Sequence, residues 1–296
     1  MTMLARPETP RHAPTSAPVP NRRRKQRRWP LRLAVTGVVV FCLAPFFWMV
    51  VSSLRRSADI FDKTPVPTPV SLENYAAVLH PSQGFLRSLL NSLIVAGTTT
   101  VLALVIATLT AYAMARLDFP FKRLVLTAII ATCMFPVVSI VVPLLKLFTS
   151  WGWINTYQAL IVPSMSFALP LAVWILTAFF RQIPAELEQA AMIDGCTRSQ
   201  AFRKVILPLA APGVFTTAII TFITAWNEFI IALTMTNRAS METAPVAISK
   251  FVGATEFEIP FGSQMAAGVV VTVPLVVLVV VFQRRIVDGL TAGAVK

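Results

Sequence analysis

Six long stretches of this chain contain no charged side chain, and they restrict its fold more than any other feature. They are residues 33–54, 88–115, 124–145, 147–180, 205–227 and 259–283. Each exceeds the roughly 18 apolar residues that mark a helix able to cross a bilayer. Only 13 % of the 296 residues are charged, against about 25 % in soluble domains. The sequence therefore predicts an all-α integral membrane protein with six transmembrane helices, the fourth starting near Tyr157.

The runs also divide the chain into segments. Residues 1–32, rich in proline and arginine, predict a disordered basic tail. Residues 33–85 would hold the first transmembrane helix and an external loop. Residues 86–285 would form the core transmembrane domain, with a polar loop at residues 182–211, and residues 286–296 a C-terminal tail.

The net charge of +13 suggests a nucleic-acid partner, but the positions of the basic residues along the chain argue against one. If the N-terminus lies inside and the spans alternate, most of the 26 Lys and Arg residues fall on the inner side. This bias predicts a cell-membrane protein with both termini in the cytoplasm. The basic block at residues 22–28 is then an anchor beside the first span, in contact with membrane lipid, and no nucleic-acid partner is expected.

Small residues in the second run recur at every fourth position, which places them on one face of a helix. They are Thr99, Ala103, Ala107, Ala111 and Ala115. Rows of this kind let two helix backbones approach closely in a bilayer. We expect this face to be buried against another helix. The alternative, that alanine is simply a common residue of membrane helices, stays open.

Prolines interrupt the later runs, among them Pro136, Pro143, Pro163, Pro170 and Pro274. Each removes a backbone donor and tends to bend a helix. Lipid tolerates such sites only where neighbouring helices or water satisfy the freed carbonyl groups. Their number favours a gated pathway over a passive anchor.

A polar segment separates the fourth and fifth runs, and it predicts two short helices joined at a glycine. Pro184 suits a first helical turn, because its missing donor would be unpaired there. Glu186 and Glu188 follow and place negative charge near the positive end of that helix. Asp194 and Gly195 then predict its end, since glycine takes the left-handed conformation most readily.

The sequence Thr-Arg-Ser-Gln at residues 197–200 fits a capping box that starts the second helix. We expect this helix to run to about Ile206, and Leu207 and Pro208 to end the segment. We call residues 184–208 the knob. By the positive-inside rule the knob is expected on the cytoplasmic side.

The knob resembles the cytoplasmic loop of the permease subunits of binding-protein-dependent ABC importers. Their pattern is Glu-Ala-Ala, three residues, Gly, nine residues, Ile, one residue, Leu-Pro. This chain keeps every spacing with Gln189, Ala190, Ala191, Gly195, Val205, Leu207 and Pro208. Gln189 stands where the family has glutamate and Val205 where it has isoleucine. The glutamine removes a charge that could pair with a basic residue of a partner.

The resemblance covers about residues 33–296 and points to the maltose-permease-like (MalG-type) branch, which transports carbohydrates. Four further segments carry it: Asn91-Ser92-Leu93, the stretch from Ala111 to Arg116, Trp226-Asn227-Glu228-Phe229 and the tail from Gly289 to Lys296. The resemblance implies a MetI-like permease fold with six spans and a cytoplasmic coupling helix.

The same resemblance implies the partners. They are a second, MalF-like permease, two cytoplasmic ATPase subunits and an extracellular solute-binding protein that delivers a sugar. The implied ATPase-coupling residues are Glu186, Glu188, Gln189, Ala190, Ala191, Asp194, Gly195, Phe202, Leu207 and Pro208. The external loop at residues 237–262 would contact the binding protein, and the C-terminal tail would contact the ATPase dimer.

The chain is expected to be a transporter subunit and not an enzyme. It contains no Gly-Lys-Ser or Gly-Lys-Thr and therefore no P-loop, so ATP would be hydrolysed by a separate chain. Three scattered cysteines and two histidines have no metal-ligand spacing. No cofactor and no metal site are expected.

Glu228 is the one acidic residue inside a predicted span, beside Asn227. Burying an unpaired charge at the bilayer centre costs about 2.5–3.5 kcal/mol. The two residues are therefore candidates for the transport pathway, while a structural, hydrogen-bonded Glu228 is an equal alternative. Two functional alternatives also stay open: an ABC permease for a polyol or glycerol phosphate, and an ion-coupled secondary transporter. The latter would need more intramembrane ionisable groups.

Overall fold

The computed structural model describes residues 29–59, 64, 66–251 and 260–292. For residues 57 and 284–292 it describes the backbone and not the side chains. The predicted N-terminal tail up to residue 28, the middle of the external loop at residues 252–259 and the last four residues lie outside the described residues. Within the described ranges every regular element is helical, as the apolar runs predict.

The described residues form thirteen α-helices. They are α1 (Trp29–Ser53), α2 (Glu73–Leu79), α3 (Phe85–Arg116), α4 (Lys122–Ala131), α5 (Val137–Ser150), α6 (Tyr157–Gln182), α7 (Ala185–Ile193), α8 (Arg198–Ala201), α9 (Leu207–Leu209), α10 (Ala211–Trp226), α11 (Ile230–Met235), α12 (Ala244–Ser249) and α13 (Phe261–Ala292). A π-helical turn at Phe202–Ile206 joins α8 to α9.

Four of these helices are long and apolar enough to cross a membrane without a break: α1, α3, α6 and the part of α13 up to Gln283. Two helix pairs pass the same test together. The pair Lys122–Met134 and Val137–Ser150 is bent by 91°, and the pair Arg198–Leu209 and Ala211–Trp226 by 72°. Counting each pair as one span gives the six spans predicted from the sequence.

Two of the predicted spans differ from straight helices. The third run breaks before Pro136, which precedes α5 and has no N–H to continue a helix. The fifth run is not one straight helix, because the chain turns sharply between α9 and α10, and α10 begins only at Ala211. Pro143, Pro163, Pro170 and Pro274 lie inside continuous helices.

The chain divides into two compact units, Met1–Phe46 and Phe47–Lys296. In the first, the described part is the beginning of α1, and its side chains are exposed. The second contains the rest of the helices, with α3 and α6 at its centre.

Burial of the small-residue face of α3 is confirmed. Thr99, Ala103, Ala107 and Ala111 are fully buried, and Ala115 is half-buried. Ala107 and Ala111 pack in one apolar cluster with residues of α6 that include Val173 and Leu176. Because alanine side chains are short, the two helices can pack along much of their length.

Candidate functional site

The first helix of the knob, α7, begins and ends as its sequence predicts. Pro184 precedes it with extended backbone geometry, and Gly195 follows it with φ +89°. The Gly195 N–H donates to the Met192 carbonyl at 3.1 Å and the Cys196 N–H to the Ala191 carbonyl at 3.0 Å. These two bonds form a Schellman motif, which satisfies carbonyl groups at the end of a helix.

The second helix starts with the predicted capping box. The Gln200 N–H donates to Thr197 Oγ1 at 3.3 Å, and the Thr197 N–H donates to Gln200 Oε1 at 2.8 Å. The predicted end near Ile206 is wrong, however. The chain continues through the π-helical turn into α9, which ends at Leu209, because the proline at position 208 occupies the first turn of α9, where its missing donor is tolerated.

Glu188 of α7 turns inward and attaches the knob to α3. Its side chain is 8 % exposed. Tyr112 Oη donates to Glu188 Oε1 at 2.5 Å, and Arg116 Nε lies 3.6 Å from Glu188 Oε2, which is an ion pair but too long for a hydrogen bond. Arg198 Nε lies 4.0 Å from Glu188 Oε1. The carboxylate is therefore engaged within the chain and is not presented to a partner.

Further contacts surround this carboxylate. An Arg116 Nη2 N–H donates to the Ile183 carbonyl just before α7, at 2.5 Å. Phe202, at the start of the π-helical turn after α8, packs on Tyr112, with ring centroids 4.6 Å apart, and on Phe180 of α6 at 6.4 Å. The knob thus joins the C-terminal ends of α3 and α6 through a buried charge cluster and an aromatic cluster.

The remaining knob residues divide into an outer and an inner face. Glu186, Leu187, Gln189, Ala190, Ile193, Asp194, Gly195 and Pro208 are exposed, whereas Ala191 and Phe202 are buried and Leu207 is half-buried. Ile193 is 86 % exposed and Leu187 42 %. The outer face of α7 therefore presents two large apolar side chains between polar ones.

Sequence reasoning missed Tyr112, Arg116 and Arg198 as functional residues. A signal for two of them was present, since Tyr112 and Arg116 stand four residues apart at the end of the second run and therefore share a helix face. Only the packing of α3 on the knob shows that this face meets Glu188.

Glu228 and Asn227 lie at a break between two helices, after the end of α10 and before the start of α11. The Glu228 carboxylate accepts the Ile231 N–H at 2.7 Å and the Ala232 N–H at 3.0 Å, so that it satisfies donors at the start of α11. Asn227 is exposed, and its Nδ2 donates to the Ile223 carbonyl at 2.8 Å.

At the opposite end of α3, Asn91 fixes the start of the predicted external loop. Its Nδ2 donates to the carbonyl groups of Ser240 at 3.0 Å and Glu242 at 2.9 Å, and its Oδ1 accepts the Tyr157 hydroxyl at 2.8 Å. Ser92 Oγ accepts the Ala244 N–H at 2.8 Å. The described part of this loop is thus attached to α3, and the same asparagine bonds α3 to α6.

Among the described residues, no group of three or more His, Cys, Asp or Glu side chains is placed to hold a metal ion. The geometry contains instead two polar attachment points, one at each end of the central helices.

Comparison with known proteins identifies the family of the chain. The family described as binding-protein-dependent transport system inner membrane component matches residues 103–291. The trehalose transport system permease protein SugB of Mycobacterium tuberculosis is 47 % identical over 261 residues, which cover 88 % of this chain and 95 % of SugB. The trehalose/maltose transport system permease protein MalG of Thermococcus litoralis is 43 % identical over 268 residues, covering 89 % and 96 %.

A solved structure shares the fold. The crystal structure of a bacterial ABC transporter involved in the import of the acidic polysaccharide alginate contains a chain that superposes with a TM-score of 0.72 at 19 % identity, covering 92 % of this chain and 99 % of that one.

Proposed function

Because the chain belongs to the family of binding-protein-dependent transport system inner membrane components, we propose that it is a transmembrane subunit of an ATP-driven importer and forms half of the translocation pathway for a carbohydrate. It is a membrane permease subunit and not an enzyme. The carbohydrate cargo is supported by its relatives, which are named for trehalose and for trehalose and maltose. A polyol or glycerol phosphate is the second candidate cargo.

The observation that carries the proposal is the construction of the knob. Its first helix is closed by a Schellman turn, attached by Glu188 to α3, and exposed on its outer face. A segment held in this way can move as a rigid body when a partner subunit displaces it. We assign it the role of a coupling helix that docks on one of two separate ATPase subunits.

The outer face suggests how the ATPase subunit is recognised. Leu187 and Ile193 offer apolar area, and Gln189 stands exposed between them in sequence at the position where the family has glutamate. Glu188, the neighbouring carboxylate, does not replace that charge, because it points inward. The contact between Gln189 and the ATPase subunit would therefore involve no charge on this chain. Glu186 and Asp194 are acidic groups exposed nearby.

The other partners follow from the family. A second, MalF-like permease would complete the pathway, and an extracellular solute-binding protein would deliver the sugar to the external loop. Asn91 and Ser92 hold the described part of that loop in a fixed conformation, which suits a docking surface. In this arrangement both termini and the knob are cytoplasmic, in agreement with the bias of Lys and Arg.

Within the pathway we assign different roles to the two neighbouring polar residues. Asn227 is exposed and is the candidate for contact with the passing solute. Glu228 stabilises the break between α10 and α11, because its carboxylate accepts two backbone N–H groups.

Substitution of Gly195 tests the knob. Its φ of +89° is unfavourable for residues with a Cβ and most of all for β-branched ones, while a Cβ at this position would meet nothing within 4 Å. Gly195→Val should therefore act on the backbone turn alone, and the detergent-solubilised complex should lose its ATPase subunits. Gly195→Asn, which tolerates the left-handed region, is the matched control and should retain them.

Retention of full ATPase binding by the valine variant, with both variants inserted normally, would count against the assignment of the knob. The ion-coupled alternative is tested separately in proteoliposomes. Uptake of labelled trehalose that requires ATP and the binding protein supports the importer, whereas uptake driven by an ion gradient alone supports a secondary transporter.

A further inference from the structure

A basic cleft lies at the end of the helix bundle where α3 and α6 finish. It has a volume of about 600 Å³ and is formed by the connection between α3 and α4, the first turn of α4 and the last turn of α6. Asp118, Lys122, Arg123 and Arg181 line it together with Phe119 and Phe121. No part of the transport mechanism described above uses these residues.

The charges in the cleft do not balance. Lys122 is engaged locally, since its Nζ donates to the Leu117 carbonyl at 2.7 Å and lies 3.6 Å from Asp118 Oδ1. The guanidinium groups of Arg123 and Arg181 are exposed, and within the described part of the chain neither makes a hydrogen bond or an ion pair. Two positive charges with ten N–H donors are therefore available to an anion from outside the chain.

The surroundings of the cleft are apolar and face outward. None of the ten residues of α4 is buried, and Leu124 in its first turn is 64 % exposed. Phe121, which precedes α4, is 75 % exposed and held at φ +62°, a conformation that phenylalanine seldom adopts. The cleft thus combines cationic groups at the end of two spans with an exposed hydrocarbon surface directly beside them.

We propose that this cleft binds the head group of an anionic phospholipid. The phosphate diester would take bidentate hydrogen bonds from the two arginines, whose planar forks match phosphate oxygens. The acyl chains would lie along the exposed apolar face of α4. Basic sites between membrane helices recognise acidic head groups in this way. A zwitterionic lipid would bind more weakly, because its choline group brings a positive charge to a site that already has two.

The proposal can be tested with the full-length chain in detergent micelles. Dioleoylphosphatidylglycerol and dioleoylphosphatidylcholine are titrated separately, and the bound lipid is counted by native mass spectrometry. The double variant Arg123→Gln, Arg181→Gln should bind phosphatidylglycerol about 30-fold more weakly, from the loss of two lysine- or arginine-type contacts. The matched control is Arg87→Gln, Arg238→Gln, which removes two exposed arginines at the opposite end of the bundle and should leave this affinity within about twofold, as expected for surface substitutions.

A charge-preserving variant, Arg123→Lys, Arg181→Lys, should keep most of the preference for phosphatidylglycerol. A photoreactive phosphatidylglycerol provides a measurement that needs no variant, and it should label residues 119–126 of the unchanged chain. Equal affinity for the two lipids, or labelling elsewhere only, would overturn the proposal. A further measurement uses the transporter assembled with its ATPase subunits: loss of these subunits from the double variant without loss of lipid would also overturn the proposal, because the cleft would then be a protein contact. None of these results depends on which solute is transported.

Discussion

The contact between Glu188 and the end of α3 gives the sharpest prediction for the knob. Glu188→Gln keeps the shape of the side chain and an acceptor for the Tyr112 hydroxyl, but it removes the negative charge. Arg116, whose side chain is 10 % exposed, would then be left near a neutral group. The change therefore tests the charge of the cluster and not its packing.

The expected magnitude follows from burial. Removing one partner of a buried ion pair costs about 3–5 kcal/mol. Arg198 adds little to this figure, because its side chain is 60 % exposed and exposed pairs contribute about 0–1 kcal/mol. The glutamine keeps one hydrogen bond, so we take the lower end of the range, about 3 kcal/mol, which corresponds to roughly a hundredfold in an equilibrium constant.

Hydrogen exchange measures this effect directly. The amides of α7 should exchange roughly a hundredfold faster in Glu188→Gln under conditions where exchange reports the opening equilibrium. Glu186→Gln makes the same chemical change on the exposed side of the same helix. It should alter exchange less than about fivefold, the effect of one charge on a helix dipole. Exchange rates that agree within twofold between the two variants would refute the inward role of Glu188.

Two further substitutions test other attachments. Asn91→Leu removes the side-chain donor of two loop carbonyl groups, which costs about 1–3 kcal/mol for each carbonyl. Trypsin should therefore cleave after Arg238 at least fivefold faster than in the unchanged chain. An unchanged cleavage rate would mean that the loop is held elsewhere. Gly213→Ala would place a Cβ 2.5 Å from the Phe179 ring and should lower Tm, because overpacking costs about 1–3 kcal/mol. Gly97→Ala is the control: its Cβ would meet open space, and Tm should not fall. Equal Tm values for the two variants would contradict this packing.

The parts of the knob that depend on neighbouring residues could be predicted from the sequence. The turn at Gly195 and the capping box at Thr197 involve partners within five residues, so the residue types alone specify them. The direction of Glu188 could not be predicted in this way. Its hydrogen-bond partner Tyr112 is 76 positions away, and helical spacing does not say which side of a short helix meets the bundle.

The bent spans show a second reason for incomplete prediction. Apolar length indicates that a run can cross a bilayer, but it contains no information on direction within the run. The 91° bend lies inside an uncharged stretch, and only Pro136 marked the place where α5 could begin. At the 72° bend, Pro208 and Pro212 were comparable signals, because each lies in the first turn of a helix. Both lie inside an uncharged run that was interpreted as one span.

The two attachment points lie at opposite ends of the same helix, and this placement bears on how the proposed coupling would cross the membrane. Asn91 and Tyr112 both belong to α3, and at 1.5 Å per residue the 21 positions between them span about 30 Å, the thickness of the hydrocarbon core. Tyr157 and Phe180 occupy corresponding ends of α6, which packs along α3. A displacement of the knob would therefore reach the external loop through two helices packed on alanine side chains, which leave little room for bending between them. The arrangement favours rigid-body tilting of α3 and α6 together over independent movement of either helix.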